Sequence, residues 1–352
     1  MAFVLSEEQT MLRDMAKQFF SEQVPITNLR QLRDDGSEDG FDRDVWKQIV
    51  ELGFAGILIP EEMGGTGFGP MGVGIVMQEA GRTLAASPLY STAVLGAGMI
   101  MAAGSEKQKK ELLPQIAAGE LLMALAIDET NHHNPANIAL AATRDGEDFV
   151  LSGEKKFVID GHIAEKLIVA TRTSGEAGDP KGISAFLIDA NTPGITITRT
   201  HMVDTRNAAN ISFDGVKVQS DTLLGSADGA YPELENVLDM GRVCLSAEML
   251  GGIETVFETT LNYLKERKQF GAIIGTFQAL QHRAAEMFCE VEICQSVVLD
   301  ALSALEERRN DIPRAASLAK ARLSDASRLI TNEGVQMHGG IGMTDAVDVG
   351  LF

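Results

Sequence analysis

The sequence predicts an α+β fold in which a helical region is followed by a β-rich region and then by a second helical region. Apolar residues recur with helical spacing up to about residue 120. Alternating and short continuous apolar runs then follow to about residue 228, and helical stripes return beyond Tyr231. Because 352 residues exceed the usual size of one domain, we expect domains over 1–120, 121–228 and 229–352.

The first helical region opens with a helix-start signal. Ser6, followed three residues later by Gln9, has the pattern of a capping box ahead of an apolar face. Further helical patterns, separated by prolines and glycines, run through 46–52, 72–84 and 106–118. Residues before about 120 are therefore expected to form a helical domain.

The middle region has the pattern of a compact β domain. Phe149 and Leu151 alternate with less apolar neighbours, which indicates a strand. Further strands are expected at 167–170, 185–188, 195–198 and 210–218. Pro193-Gly194 and Asp214-Gly215 are typical turn signals that delimit or interrupt the last two.

The last region returns to helical periodicity. Two long apolar stripes occupy 250–264 and 280–298, and Pro313 is placed to begin a third long helix. The stripes are broad, as in a helical bundle that can bury one more face against other subunits.

Charge and hydropathy exclude some classes of partner. The formal net charge of −20 disfavours nucleic acid and anionic membranes, because both bind concentrated basic surfaces. No run approaches about 18 uninterrupted apolar residues, and the first residues lack a signal-peptide pattern. We therefore expect a cytoplasmic protein without membrane insertion.

The cysteines and histidines predict no metal site. Cys244, Cys289 and Cys294 lie in helical-looking segments without the spacing of metal ligands, and buried reduced thiols are expected. The six histidines form no helical zinc motif.

Several motifs resemble those of one enzyme family. The segment 266–271, Glu-Arg-Lys-Gln-Phe-Gly, followed by Phe-Gln-Ala-Leu-Gln at 277–281, closely resembles the acyl-CoA dehydrogenase signature. Segments at 59–65, 104–108 and 336–342 resemble family segments in family order, so the resemblance covers nearly the whole chain. Within the family, the chain is most similar to a bacterial branch that acts on steroid side chains or dicarboxylic acyl-CoAs, in which some members work as unlike pairs of subunits.

The resemblance implies an acyl-CoA dehydrogenase-like fold with an N-terminal helical domain, a middle β domain and a C-terminal four-helix bundle. It also implies FAD in a cleft between the domains and at a subunit interface, usually within a tetramer. In such enzymes a carboxylate removes the α-proton of an acyl-CoA thioester, while the β-hydrogen leaves as hydride to the flavin. The electrons then pass to an electron-transfer flavoprotein.

The resemblance assigns cofactor-binding roles in the last region. Arg267 would meet the FAD pyrophosphate of a neighbouring subunit, since its planar fork suits two phosphate oxygens. The alternative is a solvated charge at a helix end. Phe270 and Gln278 would line the cofactor, or would only pack or cap a turn. The remaining candidates, whose alternative is a helix end followed by a flexible turn, are Gln336, Gly339 and Gly340.

The middle region departs from the family pattern. Of a Thr-Glu-Pro motif only Glu129 is kept, with an exposed loop carboxylate as the alternative. Phe157 takes the place of an aromatic residue that packs on the flavin, with an ordinary strand residue in the β core as the alternative. Ile159 stands where many members have a threonine that hydrogen-bonds the flavin ring, and its side chain cannot make that bond.

The expected catalytic base is missing, so the catalytic residue is unknown. In the similar branch a glutamate follows Gly-Met-Thr-Asp, whereas this chain has Ala346 there. The position used by other members holds Gly241. Asp345 is a possible substitute, but it lies one position away and one methylene shorter, and about 1 Å of misplacement can cost roughly a hundredfold in rate.

Two further explanations of Ala346 compete with a substitute base. The alanine is an inactivating substitution, or the chain is the non-catalytic partner in a hetero-oligomer. Family members also continue beyond the position of Phe352 through a helical segment that helps to bind the cofactor, so we expect part of the site to be absent.

Overall fold

The computed structural model describes residues 5–204 and 206–352. Within these ranges six α-helices precede the sheet, and a π-helical segment, Leu89–Gly96, lies between the fourth and the fifth. They are α1 (Glu7–Gln23), α2 (Ile26–Asp34), α3 (Arg43–Glu51), α4 (Gly69–Arg82), α5 (Ala97–Ala103) and α6 (Glu106–Ala117).

The predicted capping box at the first helix is confirmed. The amide of Gln9 donates to Ser6 Oγ at 3.1 Å, and the amide of Ser6 donates to Gln9 Oε1 at 2.9 Å. The two bonds satisfy backbone donors that a helix start would otherwise leave open. Helix α1 then buries Leu12, Ala16, Phe19 and Phe20, whereas the apolar residues Met11 and Met15 are exposed.

Eight strands form one mixed sheet in the order β6-β7-β3-β2-β4-β5-β8, with β1 paired in parallel to β4. Their buried side chains form the core of this region, where the Phe149 and Phe186 rings meet edge to face at 5.0 Å. The strands are β1 (Met123–Ala126), β2 (Ala141–Asp145), β3 (Asp148–Ile159), β4 (Lys166–Arg172), β5 (Ile183–Asp189), β6 (Ile195–His201), β7 (Asn207–Val218) and β8 (Leu223–Leu224).

The turn expected at Asp214-Gly215 is wrong. Both residues lie within β7, where the pairing with β3 shifts from Leu151 opposite Val216 to Gly153 opposite Phe213. The extra residue on β7 makes a β-bulge, and Gly215 supplies the positive φ of +61°. Turn and bulge share the same local chemistry, so the sequence signal alone does not separate them.

The last region contributes three long helices to the expected bundle. Helix α7 spans Tyr231–Glu266, α8 spans Gln278–Glu306, and α9 spans Ile312–His338 with Pro313 in its first turn. A two-stranded hairpin, β9 (Lys268–Gln269) and β10 (Ala272–Ile273), connects α7 to α8. The α+β fold class and the order helical, β, helical are therefore confirmed.

One cysteine prediction is wrong. Cys244 and Cys294 are buried, but Cys289 is exposed. On α8 the buried positions nearest to it are Met287 and Val291, and Cys289 falls midway between them, on the opposite side of the helix.

Contacts divide the chain into two compact units. The first comprises residues through Gln31, Pro70–Ala85 and Arg242–Phe352, and the second comprises Leu32–Gly69 and Ala86–Gly241. Within the described ranges, no helix is long and apolar enough to cross a membrane.

The first unit contains a buried carboxylate. Glu79 is only 5% exposed, and its Oε2 has no hydrogen-bond partner among the described residues. The nearest cation is Arg82, whose Nε lies 3.8 Å away, while the Arg82 guanidinium donates instead to Glu254 and Glu258 at 2.8 and 2.5 Å. Burial raises the pKa of Glu79 to about 7, because an ionised carboxylate is poorly solvated there.

Glu79 should make the stability of the protein depend on pH. Because folding raises its pKa, the folded state holds a proton that the unfolded state releases, so this contribution is lost as pH rises through about 7. We expect Glu79→Gln to flatten the dependence between about pH 5 and 8 and to be more stable than the parent by about 1–3 kcal/mol at the upper end.

Urea unfolding at three pH values measures this effect. The exposed Glu8 of α1 provides the control, since Glu8→Gln should retain the pH dependence of the parent. Parallel curves for Glu79→Gln and the parent would contradict the assignment.

The second unit contains a buried cation. Lys155, on β3, is fully buried, and its Nζ donates to the carbonyl oxygen of Ile127 at 2.8 Å and to Glu129 Oε1 at 2.7 Å. Burial lowers the pKa of Lys155 to about 8, and the neighbouring Glu129 carboxylate opposes the shift. The ion pair therefore compensates a charge that cannot reach water.

Removing the carboxylate should be strongly destabilising. Glu129→Gln leaves Lys155 buried without its counter-ion, and we expect a loss of about 3–5 kcal/mol in the free energy of unfolding. In the exposed pair Lys166–Asp189, by contrast, Asp189→Asn should cost less than about 1 kcal/mol. Chemical denaturation compares the two variants, and equal losses would show that the burial of Lys155 carries no special cost.

Candidate functional site

The predicted cofactor residues lie in both compact units. Glu129 and Phe157 belong to the second unit. The residues in the first unit are Arg267, Phe270, Gln278, Gln336, Gly339 and Gly340.

Phe270 lies at the tip of the β9–β10 hairpin. Gln269 pairs with Ala272, so Phe270 and Gly271 form a two-residue turn with φ values of +54° and +78°. Such turns favour asparagine, aspartate or glycine, and a bulky residue with positive φ is strained. The Phe270 ring is nevertheless 90% exposed. It forms a tilted aromatic pair with the Phe277 ring, and the two centroids lie 6.3 Å apart. An exposed aromatic ring in a strained turn is typical of a residue that contacts a ligand or another chain.

Arg267 lies where α7 ends and the hairpin begins. Its amide donates to the carbonyl of Tyr263 at 2.9 Å, and its carbonyl accepts from the amide of Ile274 at 2.9 Å, so its backbone is fixed. The side chain is exposed, and no ion pair or side-chain hydrogen bond engages the guanidinium among the described residues. Gln278 is the exposed first residue of α8, where backbone amides favour a negative group.

The end of α9 forms one wall of an open cavity of about 860 Å³. Gln336 and Gly339 line it, and Gly339 ends the helix with φ +66° and ψ −144°, a conformation that essentially only glycine adopts. Gly340 has no positive φ, and a Cβ built there would meet nothing within 4 Å. Packing within this chain therefore does not require glycine at 340, whereas close approach of a ligand to the backbone would.

Phe157 is not packed in the β core, so that alternative is wrong. The pairing of β3 with β7 shifts between Lys155 and Val158, and this bulge gives Phe157 a φ of +54°. The side chain is 52% exposed, and its amide donates to Asn210 Oδ1 at 3.3 Å. Ile159 is also exposed, so this end of β3 presents an apolar surface.

Glu129 is not an exposed loop carboxylate, so that alternative is wrong as well. Its side chain is 12% exposed and accepts from the amides of Ala139 and Leu140 at 2.8 and 3.0 Å, besides Lys155. Glu129 therefore closes the loop that follows β1. Sequence reasoning missed Lys155, although its position in β3 has the same parity as the buried Phe149 and Leu151.

None of the three positions considered for a base offers an uncommitted carboxylate. At Gly241 an added Cβ would lie 2.8 Å from Leu95 Cδ2 and 3.0 Å from the Tyr90 hydroxyl, so neighbours fill the space. Asp345 accepts a hydrogen bond from Arg30. Ala346 is exposed and has no group that can take a proton.

Comparisons with family models and with known proteins all point to one family. Family models described as the N-terminal, middle and C-terminal domains of acyl-CoA dehydrogenase match residues 6–120, 124–216 and 228–352. A probable acyl-CoA dehydrogenase, YngJ of Bacillus subtilis, is 32% identical over 97% of this chain and 90% of its own length. A caffeyl-CoA reductase-Etf complex subunit, CarC of Acetobacterium woodii, is 28% identical over 96% of this chain and 89% of its own length.

A solved structure leads to the same family. A variant of the Tcur3481-Tcur3483 steroid ACAD is 31% identical, with a TM-score of 0.87 over 98% of this chain and 90% of that one. The family expected from the motifs is thus confirmed by models that together span most of the sequence. The chain belongs to the acyl-CoA dehydrogenase family.

Proposed function

We propose that this member of an oxidoreductase family is FAD-dependent and dehydrogenates an acyl-CoA thioester between its α and β carbons, alone or as a subunit. The observation that carries the proposal is the pair of exposed aromatic residues with positive φ, Phe157 and Phe270. Each unit bears one of them, and their side chains are 52% and 90% exposed. Flat rings that are held out to solvent suit a large aromatic cofactor.

The polar candidates fit the other parts of FAD. The uncommitted guanidinium of Arg267 suits a pyrophosphate, and the open backbone at Gly339 and Gly340 permits close approach of the cofactor. Gln278 and Gln336 offer neutral hydrogen-bonding groups. Glu129 would act indirectly, by shaping the loop after β1. When bound, the flavin supplies the acceptor for the β-hydrogen.

The second candidate function is a non-catalytic subunit that completes a partner's FAD site. The closed space at Gly241 and the alanine at 346 favour it, because removal of an α-proton needs an aligned base. The steroid relative is named after two proteins, Tcur3481 and Tcur3483, and the Acetobacterium relative is a subunit of an Etf complex. We accordingly propose assembly with like or unlike chains, in a family-type tetramer, and electron transfer to an electron-transfer flavoprotein.

We also propose the domain boundaries 1–120, 121–228 and 229–352. The residues matched by the three family models support them.

The flavin content of the purified chain tests the proposal and separates its two forms. A self-sufficient site should give about one FAD per chain, measured by absorbance at the flavin maximum against protein concentration. A scaffold subunit should carry flavin only after co-expression with its genomic neighbour, at about one FAD per two chains. Absence of flavin from both preparations would contradict FAD dependence.

A carboxylate restored at position 346 tests whether its absence alone prevents turnover. Ala346→Glu should produce reduction of an electron acceptor by a suitable acyl-CoA, because it places a base at the family position. Ala346→Gln has nearly the same shape but cannot accept the proton, and it provides the matched control. Equal activity of the two variants over a panel of acyl-CoAs would contradict this explanation.

A further inference from the structure

Arg30, on α2, binds the turn that carries position 346. Its Nε and Nη2 donate to Asp348 Oδ1 at 3.0 and 2.8 Å, and Nη2 also reaches the carbonyl oxygen of Val347 at 3.3 Å. Its Nη1 donates to Asp345 Oδ1. One guanidinium thus holds residues on both sides of Ala346, more than 300 positions along the chain.

The rest of the turn is fixed from within. The amide of Ala346 donates to Thr344 Oγ1 at 3.3 Å, and the hydroxyl of Thr344 donates to the carbonyl of Ile341 at 2.7 Å. Thr344, Asp345 and Val347 line the cavity described above. The residues on either side of position 346 are therefore held at the edge of that cavity.

The ion pairs of Arg30 with the turn contribute little to the stability of the fold. The carboxylates of Asp345 and Asp348 are 62% and 48% exposed, and exposed ion pairs contribute about 0–1 kcal/mol. Geometry is a stronger reason for this arrangement, because the planar guanidinium fork fixes the direction of each partner. The hydrogen bonds to Asp348 and Asp345 also raise the pKa of Arg30, so its charge persists at any physiological pH.

The same contacts bear on the substitute base. Asp345 is bonded to Arg30, so its orientation is set by that partner and not by a substrate.

We propose that Arg30 is a positioning residue for position 346: it orders the 345–348 turn beside the cavity that Asp345 and Val347 line, and it commits Asp345 as a counter-ion. This inference rests on the proposed function for its catalytic consequence. The ordering of the turn by Arg30 is independent of that function.

The ordering is tested by hydrogen exchange of the backbone amides at 344–349 in the full chain. Arg30→Gln should accelerate exchange at least about tenfold, since it removes the guanidinium hydrogen bonds to residues on both sides of Ala346. Arg30→Lys keeps the charge without the fork and should give a smaller increase. Arg43→Gln, which breaks the exposed pair with Asp39, is the control and should leave this segment unchanged. Unchanged exchange in Arg30→Gln would overturn the proposal.

The catalytic consequence is tested in the Ala346→Glu background. Adding Arg30→Gln should lower kcat by about 10- to 100-fold while KM changes less than about threefold, because a misplaced base slows the chemical step more than binding. Arg30→Lys should recover part of kcat. Equal kcat with and without Arg30 would overturn the positioning role. If Ala346→Glu has no turnover, the proposed function fails, while the exchange measurement still decides whether Arg30 orders the turn.

Discussion

The arrangement of β1, β3 and the loop after β1 in the second unit depends on one buried cation, Lys155, which requires a carboxylate beside it. Lys155 cannot reach water, so Glu129 must lie beside it, and Glu129 in turn gathers the amides of Ala139 and Leu140. The end of β1, the loop after it and the middle of β3 are therefore joined at one point. The bulge that exposes Phe157 follows directly, between Lys155 and Val158. A single electrostatic requirement thus shapes the loop, and the aromatic residue proposed to face the flavin lies close to it along β3.

Much of the fold was predictable because burial follows the period of the backbone. Helical and alternating patterns located the main helices and strands, and the Ser6 signal located the start of α1. The Asp214-Gly215 signal predicts a turn where the structure has a bulge, because a bulge and a turn make the same local demand for positive φ. Exposure of Cys289 was missed because helical content alone does not reveal which side of a helix is covered.

The site was only partly predictable. Motifs led to the hairpin with Arg267 and Phe270, but they do not reveal that the Phe270 turn is strained. The contacts of Glu129 and Arg30 join residues far apart in sequence, and no local pattern encodes such partners. The empty base position was visible in the sequence, whereas the filled space at Gly241 required the packing of Tyr90 and Leu95.

The hairpin tip has a consequence for engineering. Asparagine or glycine at position 270 would relieve the backbone strain and remove an apolar ring from water. A design aimed at thermal stability or solubility would therefore choose that substitution early. Such a design would replace Phe270, whose exposed ring adds little to the stability of the isolated chain. A substitution at this turn that raises the stability of the isolated chain would then lower the ability of the assembly to bind its proposed cofactor.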